Sequence, residues 1–190
     1  MLDSRYTSAP ALLLRRALED GDLALAIRIT RSIFPRGHLA YMHETDEGDL
    51  RDYLETPLPV FSFCSEAELR ELRLRMAIAI CLCIRIERAL EPDDAFPWLY
   101  PMSPKAAAQN FVKAIAIHRN VRVWLKNGLV HAAKILNSAD GPCTACKAAA
   151  REYAIHELPQ LPLHNCENLN TVGCRCSLAA TKIVGLSQKW

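Results

Sequence analysis

A chain of 190 residues in which 51% are hydrophobic has enough apolar material for one ordinary core, which excludes wholesale disorder. Its 23 basic and 21 acidic residues leave a net charge of +2, which excludes the long basic track of a protein that follows a nucleic acid, while a local basic patch stays open. The longest apolar run, Met76 to Ile84, falls well short of the roughly 20 residues of a membrane span, so no membrane partner is expected.

The charged N-terminus contains no uninterrupted apolar segment of the secretory kind. The expected location is therefore cytoplasmic, where the 8 cysteines stay reduced and act as metal ligands or buried thiols instead of forming disulfides.

Ser8 to Phe34 reads as two helices. Ser8 caps the first and Pro10 suits its opening turn, while Leu12, Leu13, Leu14, Ala17 and Leu18 supply its apolar face. Glu19-Asp20-Gly21-Asp22 breaks the pattern. Leu23, Ala26 and Ile27 resume helical spacing until Phe34-Pro35-Arg36-Gly37 stops it. The hairpin looks like one unit of an α-solenoid, but no second copy follows at a fixed period, so a repeat protein is not expected.

Residues 35–64 read as an irregular connection, with an acidic stretch from Glu44 to Asp52 and Pro57-Leu-Pro59. Ser65 and Glu68 form a capping box, and the helix they open is expected to run to about Glu91, before Pro92. Its middle is apolar on every side, which marks a central, covered helix. Cys81 and Cys83 lie there, about 200° apart on a helix, so they do not share a metal and read as buried thiols. Cys64 reads the same way.

The loop Phe96-Pro-Trp98-Leu-Tyr100-Pro carries aromatic anchors that are also a candidate contact patch. Ser103-Pro104 starts a helix whose apolar positions continue through Val121, Val123, Trp124, Leu125, Leu129, Val130, Ala133 and Leu136, with a break near Asn127-Gly128. Turn residues from Asn137 to Gly141 end it. Ile183-Val184 and Trp190 close the chain as a short strand or pack on the helices.

Between Pro142 and Ser177 stand Cys143, Cys146, His164, Cys166, Cys174 and Cys176. Cys143-Thr-Ala-Cys146 allows a tight turn whose thiolates converge on one ion, and thiolate with imidazole is the donor set of structural zinc. These six candidates compete for about four places in a tetrahedral site. Cys143 and Cys146 rank first, then Cys166 and Cys174. Cys176 faces the same ion if its segment is extended, and His164 is an alternative to Cys166. Four protein ligands leave no open position, so the expected cofactor is structural Zn²⁺, with no catalytic residue and no small-molecule substrate implied.

Cys143-Thr-Ala-Cys146, Tyr153, Glu157-Leu-Pro-Gln-Leu-Pro-Leu-His164 and Cys174-Arg-Cys176-Ser-Leu together resemble the C-terminal cysteine motif of the phage Mu F-like minor head (head morphogenesis) proteins and their bacterial relatives. That motif runs Cys-x-x-Cys, then Tyr or Phe, then an acidic-Pro-x-x-Pro phrase, then His or Cys just before Cys-Arg-Cys. The likeness spans residues 140–184. The chain departs from it by inserting Glu167 to Gly173 before Cys174, where many members are continuous, and this favours Cys166 over His164. The resemblance implies a virion or prophage setting, with a capsid or other assembly component as protein partner.

Two rival classes have partial signals. Pro142-Cys-Thr-Ala-Cys146 fits half of the zinc deaminase signature, but upstream His131-Ala-Ala133 has alanine where the proton-moving carboxylate belongs, and His43-Glu44 has the wrong spacing. Arg119, Arg122 and Lys126 share one helix face close to Lys134, Lys147 and Arg151, which is the signal for a zinc-dependent nucleic-acid-binding or regulatory module; the ordinary alternative is a solvated face. His118 and His131 read as surface or core residues. The expected architecture is mainly α, a helical domain over 1–138 and a Cys-rich zinc-binding module over 139–190 with little or no β. The expected function is a non-catalytic structural or interaction protein.

Overall fold

The computed structural model describes residues 4–34, 46–91, 95–137 and 142–184, without the side chains of Ser4 and Arg5. The expected stop at Pro35–Gly37, the His43-Glu44 pair, Pro92, the turn residues 138–141 and Trp190 lie outside the described residues. The fold is mainly helical, with a small sheet near its C-terminal end. In chain order it comprises α1 (Ser4–Thr7), α2 (Ala9–Glu19), α3 (Leu23–Ile33), α4 (Glu47–Glu55), α5 (Glu66–Cys81), α6 (Pro104–Asn127), β1 (Val130–Leu136), α7 (Thr144–Ala149), β2 (Glu152–Ala154) and β3 (Ser177–Ile183). Among the described residues, no helix is long and apolar enough to cross a membrane.

The α2–α3 hairpin forms as its sequence predicts. The Ser8 hydroxyl accepts from the Ala11 amide, and Asp22 caps α3 by accepting from Leu25 at 2.8 Å. Ala11, Leu14, Ala17 and Leu18 are buried, whereas Leu12 and Leu13, assigned to the same face, are exposed. The buried four follow i, i+3, i+6 and i+7, and at 100° per residue Leu12 and Leu13 fall outside that stripe.

Part of the expected irregular connection is helical. Asp46 and Asp49 cap α4 reciprocally, at 2.7 and 3.1 Å. At the other end Arg73 of α5 donates to the carbonyls of Tyr53 (3.0 Å) and Thr56 (2.6 Å), which satisfies acceptors that a helix C-terminus leaves open.

The Ser65–Glu68 capping box opens α5 as expected, and Leu72, Leu74, Met76, Ala77, Ile78, Ala79 and Cys81 are buried along it. The helix ends at Cys81, however, and does not run on to Glu91. Cys83 adopts a left-handed conformation (φ 52°), its amide donates to the Ile80 carbonyl at 3.1 Å, and the Ile84 amide donates to Ala79 at 2.8 Å. This is the paired hydrogen bonding of a Schellman cap, with cysteine in the place glycine usually takes. The chain then folds back. Arg75 fastens the returning segment through the carbonyls of Ala89 (3.2 Å) and Glu91 (2.6 Å), its guanidinium 3.0 Å from the Tyr6 ring centroid.

Residues 130–136 correct a second expectation, since they form a strand and not the end of α6. Gly128, left-handed at φ 62°, closes α6. β1 then takes the centre of an antiparallel sheet in the order β2-β1-β3, with Ala133 opposite Tyr153 on one side and Ala180 on the other. A register irregularity around Ala132 and Ala133 lets both be buried, which breaks the alternation that marks a strand.

Buried side chains form two clusters. One is helical, around Leu14, Leu50, Phe61, Leu72, Met76, Leu90, Leu99 and Phe111. The other joins Ile135, Leu161 and Leu163 to five cysteines, and Leu169 packs against both. Of the aromatic loop, Phe96 is buried edge-on against Trp98 (centroids 5.7 Å apart), whereas Tyr100 is 83% exposed.

Candidate metal centre

Three short pieces of chain deliver the cysteines. Cys143 caps α7, and its sulfur accepts from the Cys146 amide at 3.4 Å, so the Cys-x-x-Cys turn brings both sulfurs to one side. The Thr144 amide donates to the Glu167 carboxylate at 3.2 Å, which ties that turn to the next piece. There, the Cys166 amide donates to Leu163 (3.1 Å) and the Cys166 carbonyl accepts from Leu169 (3.0 Å). Cys174 and Cys176 are buried on either side of exposed Arg175 just before β3, the period-two alternation of extended chain.

All five cysteines are free and at most 6% exposed. They form two groups of three, Cys143–Cys146–Cys166 and Cys146–Cys174–Cys176, with the sulfurs in each group within 4.8 Å of one another. Cys166 Sγ is 3.7 Å from both Cys143 Sγ and Cys146 Sγ. A tetrahedron with metal–sulfur bonds of ~2.3 Å has sulfur–sulfur edges of ~3.8 Å. The cluster therefore has the spacing and donor chemistry to hold a metal ion.

The thiols are electrostatically uneven. Burial pushes Cys143 up, but hydrogen bonds led by the one from the Cys146 amide bring it down to about 7. Burial raises the thiols of Cys146 and Cys166, and that of Cys176 to about 11. Adjacent buried thiolates repel one another, and a bound cation is what allows several to ionise together.

His164, the sixth candidate, is not in either group. It is exposed and lines a cleft of about 550 Å³ between α6 and the cysteine module, together with Pro57, Ile117, His118, Pro159 and Pro162. Pro159 and Pro162 thus build a cleft wall. His118 is half-buried, with Nδ1 unpartnered among the described residues, and His131 is exposed on β1. Cys81 is buried and Cys64 and Cys83 are half-buried, away from the cluster as expected, and burial pushes Cys64 and Cys81 up to about 11.

Arg119 and Arg122 are partly exposed, but their charges are paired. Arg119 bridges Asp49 and Asp52 (2.8 Å to Asp52), and Arg122 holds both Asp52 oxygens at 2.6 and 3.0 Å. Both carboxylates are buried, so these guanidiniums clamp α4 to α6.

One functional residue has no counterpart in the sequence expectations. Asn110 is wholly buried in α6, accepts from the Cys174 amide at 2.8 Å and donates to the Leu169 carbonyl at 2.8 Å. Beside it, Gly173 is left-handed (φ 82°), and a Cβ there would stand 2.9 Å from the Cβ of Gln109. Ser103 adds bonds from its amide to Asn170 (2.8 Å) and from its hydroxyl to Thr171 (3.1 Å). The segment Glu167–Gly173 is therefore the dock between module and helical body. The available signal was an asparagine one residue before Phe111 on the small, alanine-rich opening of the helix, Ala106-Ala-Ala-Gln-Asn110-Phe111. No family model, curated protein or solved structure matches the chain.

Proposed function

We propose that the chain is a non-catalytic, zinc-stabilised structural or interaction protein. The observation that carries this reading is the cluster of five buried thiols, in which Cys166 Sγ stands 3.7 Å, a tetrahedral metal–thiolate edge, from both Cys143 and Cys146. All-sulfur donors favour zinc among common divalent ions, and a full set of protein ligands leaves no position for water or substrate. Zinc fixes α7, the Leu163–Leu169 turn and the approach to β3, pieces too short to hold one another. The motif resemblance supplies the setting, a phage or prophage head-assembly component with a capsid or related protein as partner.

The test is elemental mass spectrometry of protein purified without chelator, with Cys143→Ser and Cys146→Ser beside wild type. Zinc equimolar with the chain, lost in both variants together with a lower melting temperature, is the expected result. Absence of zinc from wild type, or iron in its place, overturns the reading.

A further inference from the structure

Five thiols surround a site that takes four, and their arrangement bears on which one is spare. Cys146 belongs to both groups of three and is the common vertex of the cluster. Cys143 and Cys166 complete one group at tetrahedral spacing. Cys174 and Cys176 complete the other, each within 4.8 Å of Cys146 and of one another. Either sulfur reaches a tetrahedral edge of ~3.8 Å from Cys146 by moving about 1 Å or less, but each lies beyond 4.8 Å from Cys143 or Cys166, so capping that face takes a χ1 rotation of whichever cysteine serves.

The surroundings accommodate both arrangements. Cys174 and Cys176 face the same side because the backbone between them is extended, with Arg175 turned outward. Cys176 Sγ also lies 3.9 Å from Asn137 Oδ1, an acceptor for its proton when it is off the metal. The Cys174 backbone is fastened to Asn110, so exchange leaves the dock intact.

We propose that Cys143, Cys146 and Cys166 are fixed ligands and that Cys174 and Cys176 are interchangeable as the fourth. The proposal rests on the zinc reading above. In the exchange, the incoming thiol gives its proton to the departing thiolate as one metal–sulfur bond forms and the other breaks, so charge and coordination number are conserved. The site thereby keeps four thiolates when either member of the pair is lost, which a single-purpose Cys₄ site does not.

The experiment compares wild type with Cys174→Ser, Cys176→Ser, the double variant and Cys146→Ser. Zinc content is measured, and the thiolate-to-metal absorption of the cobalt-loaded proteins counts the bound sulfurs. Both single variants are expected to match wild type in metal content and in four-sulfur absorption, whereas the double variant and Cys146→Ser lose intensity and metal. Loss of one sulfur in either single variant overturns interchangeability and identifies that residue as the fixed fourth ligand. Four-sulfur absorption in the double variant overturns it as well. The single variants decide the question even if the double variant does not fold. A wild type without metal is instead the failure of the zinc reading.

Discussion

The Cys174 amide donates a 2.8 Å hydrogen bond to the side chain of Asn110, so the interior of α6 is bonded directly to the backbone of a candidate metal ligand. Through its Nδ2, Asn110 also holds the Leu169 carbonyl, and Leu169 packs in both buried clusters. One side chain thus couples the order of the cysteine module to that of the helical body. Removing it strands the buried Cys174 donor and the part-buried Leu169 acceptor. Asn110→Ala is expected to cost ~2–4 kcal/mol, from ~1–3 kcal/mol for the buried amide left unsatisfied and about 1 kcal/mol for the part-buried carbonyl. Urea unfolding of metal-loaded protein measures it, and a loss below about 0.5 kcal/mol would mean that the bonds carry little stability.

Gly173 makes the same dock sterically possible. Alanine there adds a Cβ 2.9 Å from Gln109 Cβ in a left-handed backbone (φ 82°) that alanine disfavours. Gly173→Ala is expected to destabilise by ~1–3 kcal/mol and to speed metal loss to a chelator, because the dock delivers both Cys174 and Cys176 to the cluster. Unchanged melting and chelation rates would show that the loop shifts freely.

The Asp52 carboxylate is 4% exposed and takes hydrogen bonds from Arg119 and Arg122, which are 32% and 53% exposed. Breaking a fully buried pair by removing one partner costs ~3–5 kcal/mol. Here both guanidiniums remain partly hydrated, so Asp52→Ala is expected to cost ~1–3 kcal/mol. Thermal unfolding at low and high salt checks this, and the burial of Asp52 predicts that much of the loss persists at high salt.

Stability should also fall in acid through Glu71. Two hydrogen bonds from Arg15, at 2.9 and 2.6 Å, hold its carboxyl below the usual carboxylate range against the opposing effect of burial. A folded value below the unfolded one of ~4.3 means that the native state binds fewer protons than the unfolded state. The stabilisation is complete above the unfolded value and disappears as pH falls through the folded one. Both side chains are more than a third exposed, so solvent screening limits the effect to under about 1 kcal/mol. Urea midpoints of wild type and Glu71→Gln should differ at pH 7 and converge towards pH 3. Comparing the two proteins cancels every acid effect that they share, and a gap that is constant with pH would exclude this source.

Local chemistry was legible from the sequence alone. Ser8, Ser65 and Ser103 cap helices where the residue pattern places them, because a cap depends on neighbours within a turn. The five clustered cysteines announced a candidate metal site because their excess over any packing need is itself local information. What only the tertiary structure decided are choices between nearly equal local alternatives. Val130–Leu136 is a strand because β2 and β3, distant in sequence, pair with it on both sides. α5 stops at Cys81 although its apolar pattern continues, because the returning segment satisfies Arg75 and Tyr6. The charges of α4 and α6 neutralise one another across a helix interface, so residues that look like an acidic loop and a basic face become one clamp with buried carboxylates and partly hydrated guanidiniums. Asn110 gains its role from Cys174, far along the chain. In each case the deciding partner lies many residues away, and the free energy of burying or pairing across that distance exceeds the local preference it overrides.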